Sequence, residues 1–130
     1  MFTFINIERN VILMIYLDYQ SRIPIYEQIV QEIEKYVALK ILKPGEQIYS
    51  IRDMATQLGI NPNTVKKAYS ILEQKGIIVS LSTKGTYITQ NIDDILKEVI
   101  DKKISEIKET IKEIEKYGMS KDEILNKIMN

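Results

Sequence analysis

Ile51-Arg52-Asp53-Met54-Ala55-Thr56-Gln57-Leu58-Gly59-Ile60-Asn61-Pro62-Asn63-Thr64-Val65 is the stretch that decides the fold. Ser50 in front of it is a good N-cap, so a helix is predicted from there through about Leu58, with Asp53 in the first turn suiting the positive end of the helix. Gly59 breaks the run, Asn61 caps a second helix, and Pro62 takes its first position, where an N–H has no intrahelical partner to lose. Small Ala55 lets two helices approach closely, Gly59 supplies a sharp turn, and Leu58, Ile60, Val65 and Leu72 fill the angle between them. This is helix-turn-helix spacing. The plain alternative is an αα-hairpin in a helical domain; the small residue, the glycine and the apolar positions all falling in register favour the first reading.

Downstream, the second helix is predicted from about Pro62 to Gln74 and closes at Lys75-Gly76. Ile77 to Leu81 and Thr86 to Thr89 are rich in β-branched and aromatic residues, and Ser82-Thr83-Lys84-Gly85 between them has the turn residues of a hairpin. Upstream, Pro24 opens a helix from about Ile25 to about Leu39, with Tyr26, Ile29, Ile33, Tyr36 and Val37 on one face and Glu27, Gln31, Glu34 and Lys35 on the other. The turn Lys43-Pro44-Gly45-Glu46 ends it, and Gln47, Ile48 and Tyr49 have room for a very short strand. Three helices followed by a hairpin make an α+β, mainly α, winged helix-turn-helix domain, assigned to residues 14–91.

Residues 92–130 read as an α-helical tail. Leu96, Ile100, Ile104, Ile107, Ile111 and Ile114 recur at three- and four-residue steps, and no glycine or proline interrupts Asn91 to Lys116. On a monomer this stripe would be partly exposed, so self-association of two tails into a homodimer is predicted; the alternative is a helix folded back on its own domain. Lys102, Lys103, Glu106, Glu109, Lys112 and Glu113 form its solvated face, with pairs expected four residues apart. After Tyr117-Gly118-Met119, Ser120 caps a short last helix with Ile124, Leu125 and Ile128.

Composition narrows the chemistry. With 45% hydrophobic and 28% charged residues an ordinary globular core forms, and 130 residues leave room for one domain and an appendage. The chain has no cysteine and no histidine, which removes disulfides, thiolate nucleophiles, the usual general base and the commonest metal ligands. No phosphate-cradling glycine loop is present, and Asp93, Asp94 and Glu98 lie on a charged helix. No catalytic residue, metal site or cofactor is therefore assigned. Glu8, Arg9 and Asn10 interrupt the apolar N-terminal residues before they are long enough to cross a bilayer, so no membrane partner is expected and a reducing cytoplasm is the compatible compartment.

Charge is unevenly placed. The chain balances 18 cations with 18 anions, yet residues 50–90 carry five cations against two anions while both flanks are net acidic. The electropositive third is the one containing the helix-turn-helix, as a nucleic-acid surface requires. On the second helix, Asn61, Asn63, Thr64, Lys66, Lys67 and Ser70 occupy the face not used by the core and gather at the N-terminal end, which in such motifs enters the major groove. Asparagine can pair bidentately with adenine, threonine offers a hydroxyl and a methyl, and lysine meets phosphate or guanine. Lys67 reads equally as part of a solvated helix face, and for Ser70 that reading is the favoured one. Arg52 can reach a phosphate or base edge beside that helix, or pair with Asp53 or Glu46. Lys84 and Gly85 sit at the wing tip, suited to a minor groove. A winged helix can also serve as a protein- or RNA-interaction module; the crowding of Asn61, Asn63 and Lys66 at one end argues for double-stranded DNA.

Residues 24–89 resemble the N-terminal domain of GntR-family regulators. The resemblance rests on Pro24-Ile25-Tyr26-Glu27-Gln28-Ile29, Pro44-Gly45-Glu46, Ser50 to Ala55, Leu58 to Val65, Ala68-Tyr69, Leu72-Glu73, Gly76-Ile77-Ile78 and Lys84-Gly85-Thr86-Tyr87-Ile88, all in order. It implies that Arg52, Asn61, Asn63, Thr64, Lys66 and the wing from Thr83 through Lys84 and Gly85 to Thr86 contact operator DNA, and that a dimer binds an inverted repeat. Tyr49 stands where proline is common, Thr83 where the wing often has glycine, and Lys66-Lys67 where arginines are frequent; lysine gives up the bidentate fork and leans toward phosphate. The short tail is similar to the YtrA-like subfamily, which implies repression of a transporter operon. No residue identifies a small-molecule effector. Met14-Ile15-Tyr16-Leu17-Asp18 resembles the start of such regulators, so residues 1–13 are expected to be an N-terminal extension without a DNA-contact role.

Overall fold

The computed structural model describes residues 2–7 and 11–130, with side chains from residue 15 onward. Three helices make the body of the first unit. α1 (Ile25–Ala38) starts behind Pro24 and buries Ile29, Val30, Ile33 and Val37. α2 (Ile51–Leu58) buries Met54, Ala55 and Leu58, and α3 (Pro62–Gln74) buries Val65, Ala68, Tyr69 and Leu72. α3 packs on both α1 and α2, so it is the central helix of the core. At roughly 1.5–3 kcal/mol for each large aliphatic side chain withdrawn from water, this cluster supplies most of the favourable term in the domain's folding.

Between α1 and α2 runs β3 (Gln47–Ile48); after α3 come β4 (Ile78–Leu81) and β5 (Gly85–Ile88). They form an antiparallel sheet in the order β3-β5-β4, with Ile48 opposite Thr86, Ile78 opposite Ile88 and Ser80 opposite Thr86. Ile48, Ile78 and Ile88 are buried, and the hairpin projects from the end of α3 as a wing. β5 begins one residue earlier than expected, because the turn is Ser82 to Lys84 and Gly85 already pairs with Leu81, and β4 begins one residue later, at Ile78.

The N-terminal residues hold a finding that the extension reading had not foreseen. β1 (Phe2–Ile7) and β2 (Val11–Tyr16) pair antiparallel, Phe2 opposite Tyr16 and Ile7 opposite Val11, and the hairpin lies beside α1 and α2. Met1 and residues 8–10 lie outside the described residues, and with them the interruption of the apolar run at Glu8 to Asn10. Just past β2, Ile15 and Leu17 are buried, and Gln28 of α1 ties down the following loop. Its Nε2 donates to the carbonyls of Asp18 (2.9 Å) and Ile23 (2.8 Å), and its Oε1 accepts from the Asp18 N–H (2.8 Å). A buried amide with three partners carries no desolvation penalty of an unpaired group.

α4 (Ile92–Glu115) and α5 (Lys121–Met129) follow, and the chain divides into two compact units, Met1–Ile95 and Leu96–Asn130. In α5 the Ser120 Oγ accepts from the Glu123 N–H while the Glu123 carboxylate accepts from the Ser120 N–H, a reciprocal cap. Among the described residues no helix is long and apolar enough to cross a membrane.

Candidate nucleic-acid interface

The turn between α2 and α3 is built from local chemistry. Ser50 Oγ accepts from the Asp53 N–H at 3.1 Å, covering one of the open donors at the start of α2. Gly59 ends that helix in the left-handed conformation, φ 66°, ψ 36°, where a Cβ would be strained. The Ile60 N–H then donates to the Ala55 carbonyl at 3.1 Å, and Asn61 Oδ1 accepts from the Asn63 N–H at 2.8 Å to start α3. Asn61 therefore has one end of its side chain committed to capping; its amide nitrogen is the part left for recognition.

Around this turn Arg52, Asn61, Asn63 and Lys66 are exposed and Thr64 is half-buried. These side chains come from the first turn of α2 and the first two turns of α3. Among the described residues the ion pairs lie elsewhere, Lys35 with Glu32 and Lys75 with Glu34 in this unit, so Arg52 is paired with neither Asp53 nor Glu46. Glu46 instead turns its carboxylate to the Lys43 N–H at 2.8 Å. Arg52 and Lys66 thus keep their charge available for a polyanion.

Lys67 differs. Its Nζ stands 4.0 Å from the centre of the Tyr26 ring on α1, a cation–π contact within the protein. Of the two readings open for it, a helix-surface role is the one this geometry favours. Ser70 is exposed further along α3.

The wing tip is held by side chains that sequence reading did not single out. The Lys84 N–H closes the turn onto the Leu81 carbonyl at 2.6 Å, and the Lys84 carbonyl accepts from Tyr87 Oη at 2.8 Å and from Gln47 Nε2 at 3.4 Å. Gly85 has φ +112°, a backbone conformation that residues other than glycine adopt only with strain, and a Cβ there would also displace the Gln47 amide. Thr83 and Lys84 are exposed, Gly85 is half-buried, and Thr86 is 7% exposed. Thr86, expected among the DNA contacts, is buried on β5 opposite Ile48 and Ser80. Pairing with β3, thirty-eight residues earlier in sequence, sets which way it points, and no local pattern could have shown that.

In the second unit, Ile100, Ile104 and Ile107 are 60%, 46% and 53% exposed, and Leu96, Ile111 and Ile114 are half-buried. The opposite face carries Lys103–Glu106 and Glu109–Lys112 pairs, three residues apart rather than the expected four. α5 adds exposed Leu125, Ile128 and Met129.

Residues 25–88 match the family model of the bacterial regulatory proteins of the gntR family. The HTH-type transcriptional repressor YtrA of Bacillus subtilis is 44% identical over 101 residues, 78% of this chain and 75% of that protein. Among solved structures, a transcriptional antiterminator from Listeria monocytogenes EGD-e is 39% identical, with a TM-score of 0.63 and 85% and 84% of the two chains covered. YtrA from Sulfolobus acidocaldarius, a GntR-family transcription factor, is 35% identical, with a TM-score of 0.60 and 88% and 92% covered.

Proposed function

This chain belongs to the gntR family of bacterial regulatory proteins, as a winged helix-turn-helix transcriptional regulator of the YtrA-like kind, and from that premise we propose that it acts as a homodimeric repressor on an inverted-repeat operator. The observation that carries the proposal is the cluster of exposed Arg52, Asn63 and Lys66 with half-buried Thr64 around the N-terminal end of α3, its two cations without an ion pair among the described residues. In this reading α3 enters the major groove, with Asn63 and Thr64 against base edges, Lys66 and Arg52 on phosphate or guanine, and Asn61 contributing its amide nitrogen. Thr83, Lys84 and Gly85 follow the backbone toward the minor groove on the turn that Tyr87 and Gln47 hold.

The dimer follows from Ile100, Ile104 and Ile107. Half-exposed isoleucines at helical spacing are costly in water and pair well with a second copy, and two-fold symmetry of the protein calls for two-fold symmetry of the operator. The target class that the resemblance implies is a transporter operon.

Capture of genomic fragments by the purified full-length protein, followed by footprinting, tests the proposal. The expected result is protection of two half-sites about one helical turn apart, with affinity that falls steeply as salt rises. Retention of single-stranded RNA with no preference for any duplex would instead support an RNA-binding module.

A further inference from the structure

A partly buried hydrogen bond ties α3 to the residue that leads into α2, and these two elements carry the proposed DNA-reading side chains. Tyr69 lies in α3 one turn beyond Lys66, is 2% exposed, and donates its hydroxyl to the backbone carbonyl of Tyr49 at 2.7 Å. Tyr49 immediately precedes Ser50, the residue that organises the first turn of α2. The Ser50 carbonyl accepts from the Met54 N–H at 2.8 Å and its Oγ from the Asp53 N–H at 3.1 Å. Arg52 stands in that same turn. The Tyr69 hydroxyl therefore grips the chain at the point from which Arg52 is presented.

Elsewhere α2 and α3 meet through apolar side chains, Met54, Ala55 and Leu58 on one and Val65, Ala68 and Leu72 on the other. Such packing is strong but non-directional, whereas a short, partly buried O–H to carbonyl bond sets distance and angle together. Burial pushes the Tyr69 hydroxyl well above its ordinary ionisation range, and the Asp53 carboxylate pushes it the same way, so it stays a donor at any physiological pH.

We propose that Tyr69 is a positioning residue for operator recognition, fixing Arg52 relative to the reading end of α3. This rests on the reading that Arg52 and α3 contact duplex DNA. Tyr69 would touch no nucleotide itself; it acts through the first turn of α2.

The test uses the full chain and a duplex enriched by the wild-type protein from a randomised library, with a scrambled duplex as control. Tyr69→Phe keeps the ring and removes the hydroxyl. Expected are a cooperative melting transition and a loss of roughly threefold to tenfold in affinity for the enriched duplex, with affinity for the scrambled duplex and the salt slope little changed. Made in an Arg52→Ala background, the same substitution causes no further loss, because the group being positioned is gone. Equal losses in both backgrounds, equal losses on both duplexes, or unchanged affinity would overturn the proposal. Loss of cooperative melting would overturn it too, since the hydroxyl would then serve the core as a whole. If the wild type enriches no duplex, the DNA-binding reading fails as well; if it does and Tyr69→Phe is indifferent, only the positioning role fails.

Discussion

α3 and α4 are both amphipathic helices with an apolar stripe at the same spacing, yet they treat that stripe in opposite ways. α3 buries Val65, Ala68, Tyr69 and Leu72 within its own chain, and what it leaves outside is polar: Asn63, Lys66 and Ser70. α4 buries Ile92 alone and leaves Ile100, Ile104 and Ile107 about half exposed. Periodicity identifies an amphipathic helix but does not say what covers the apolar side; the burial pattern does. A helix whose apolar side is used internally offers its polar side to a ligand, and one whose apolar side is unused offers that side to a partner.

The sharpest way to break this contrast is to charge the α4 stripe. Ile104→Lys together with Ile107→Lys puts like charges on both halves of the proposed dimer and removes two aliphatic contacts per chain, each worth about 1.5–3 kcal/mol. A monomer in sedimentation and a loss of operator affinity on the order of 100-fold or more are expected, while the melting of the winged domain persists. A dimer that survives the double substitution would place the interface elsewhere. The matching change in α3, Leu72→Ala, acts on the other side of the comparison. Leu72 is fully buried, so the chain should lose about 2–5 kcal/mol of folding stability in denaturant titration, with the oligomeric state unchanged wherever the protein remains folded.

Much of α3 and its surroundings was legible because the signals are local. Ser50, Gly59, Asn61 and Pro62 act within a few residues of themselves, and each is found doing what its chemistry predicts, as cap, left-handed turn, cap and first helical residue. What was not legible depends on distant chain. Gln28 is buried because Asp18 and Ile23 come to it, Thr86 turns inward because β3 pairs beside it, and Lys67 finds the Tyr26 ring on another helix. The N-terminal hairpin reads from sequence only as an extension, because a two-stranded ribbon has little stability of its own and β1 lies beside α2, which is remote in sequence.

Smaller effects come from the polar side of α3, and they separate its members. Asn63→Ala should weaken binding to the operator by about 1–3 kcal/mol and relax the preference at one base position. Lys66→Ala should weaken all sequences nearly alike and lower the salt slope by about one. Binding titrations on the operator and a scrambled duplex at several salt concentrations distinguish these. A salt slope unmoved by Lys66→Ala would take that side chain off the phosphate backbone.

The smallest expected effect is at Lys67, and it tests whether adjacent lysines on one helix can belong to different surfaces. Lys66 is exposed and without an ion pair among the described residues, whereas the Lys67 ammonium rests over the Tyr26 ring. A contact of that kind at a solvent-accessible site contributes roughly 0.5–1 kcal/mol to the packing of α3 on α1. Lys67→Met keeps the aliphatic stem and removes the charge, so folding stability should fall by about that amount, while the salt slope of DNA binding stays at the wild-type value. A fall in the slope equal to that of Lys66→Ala would show that the Lys67 ammonium leaves the ring for phosphate when the duplex arrives, and would merge the two lysines into one binding surface.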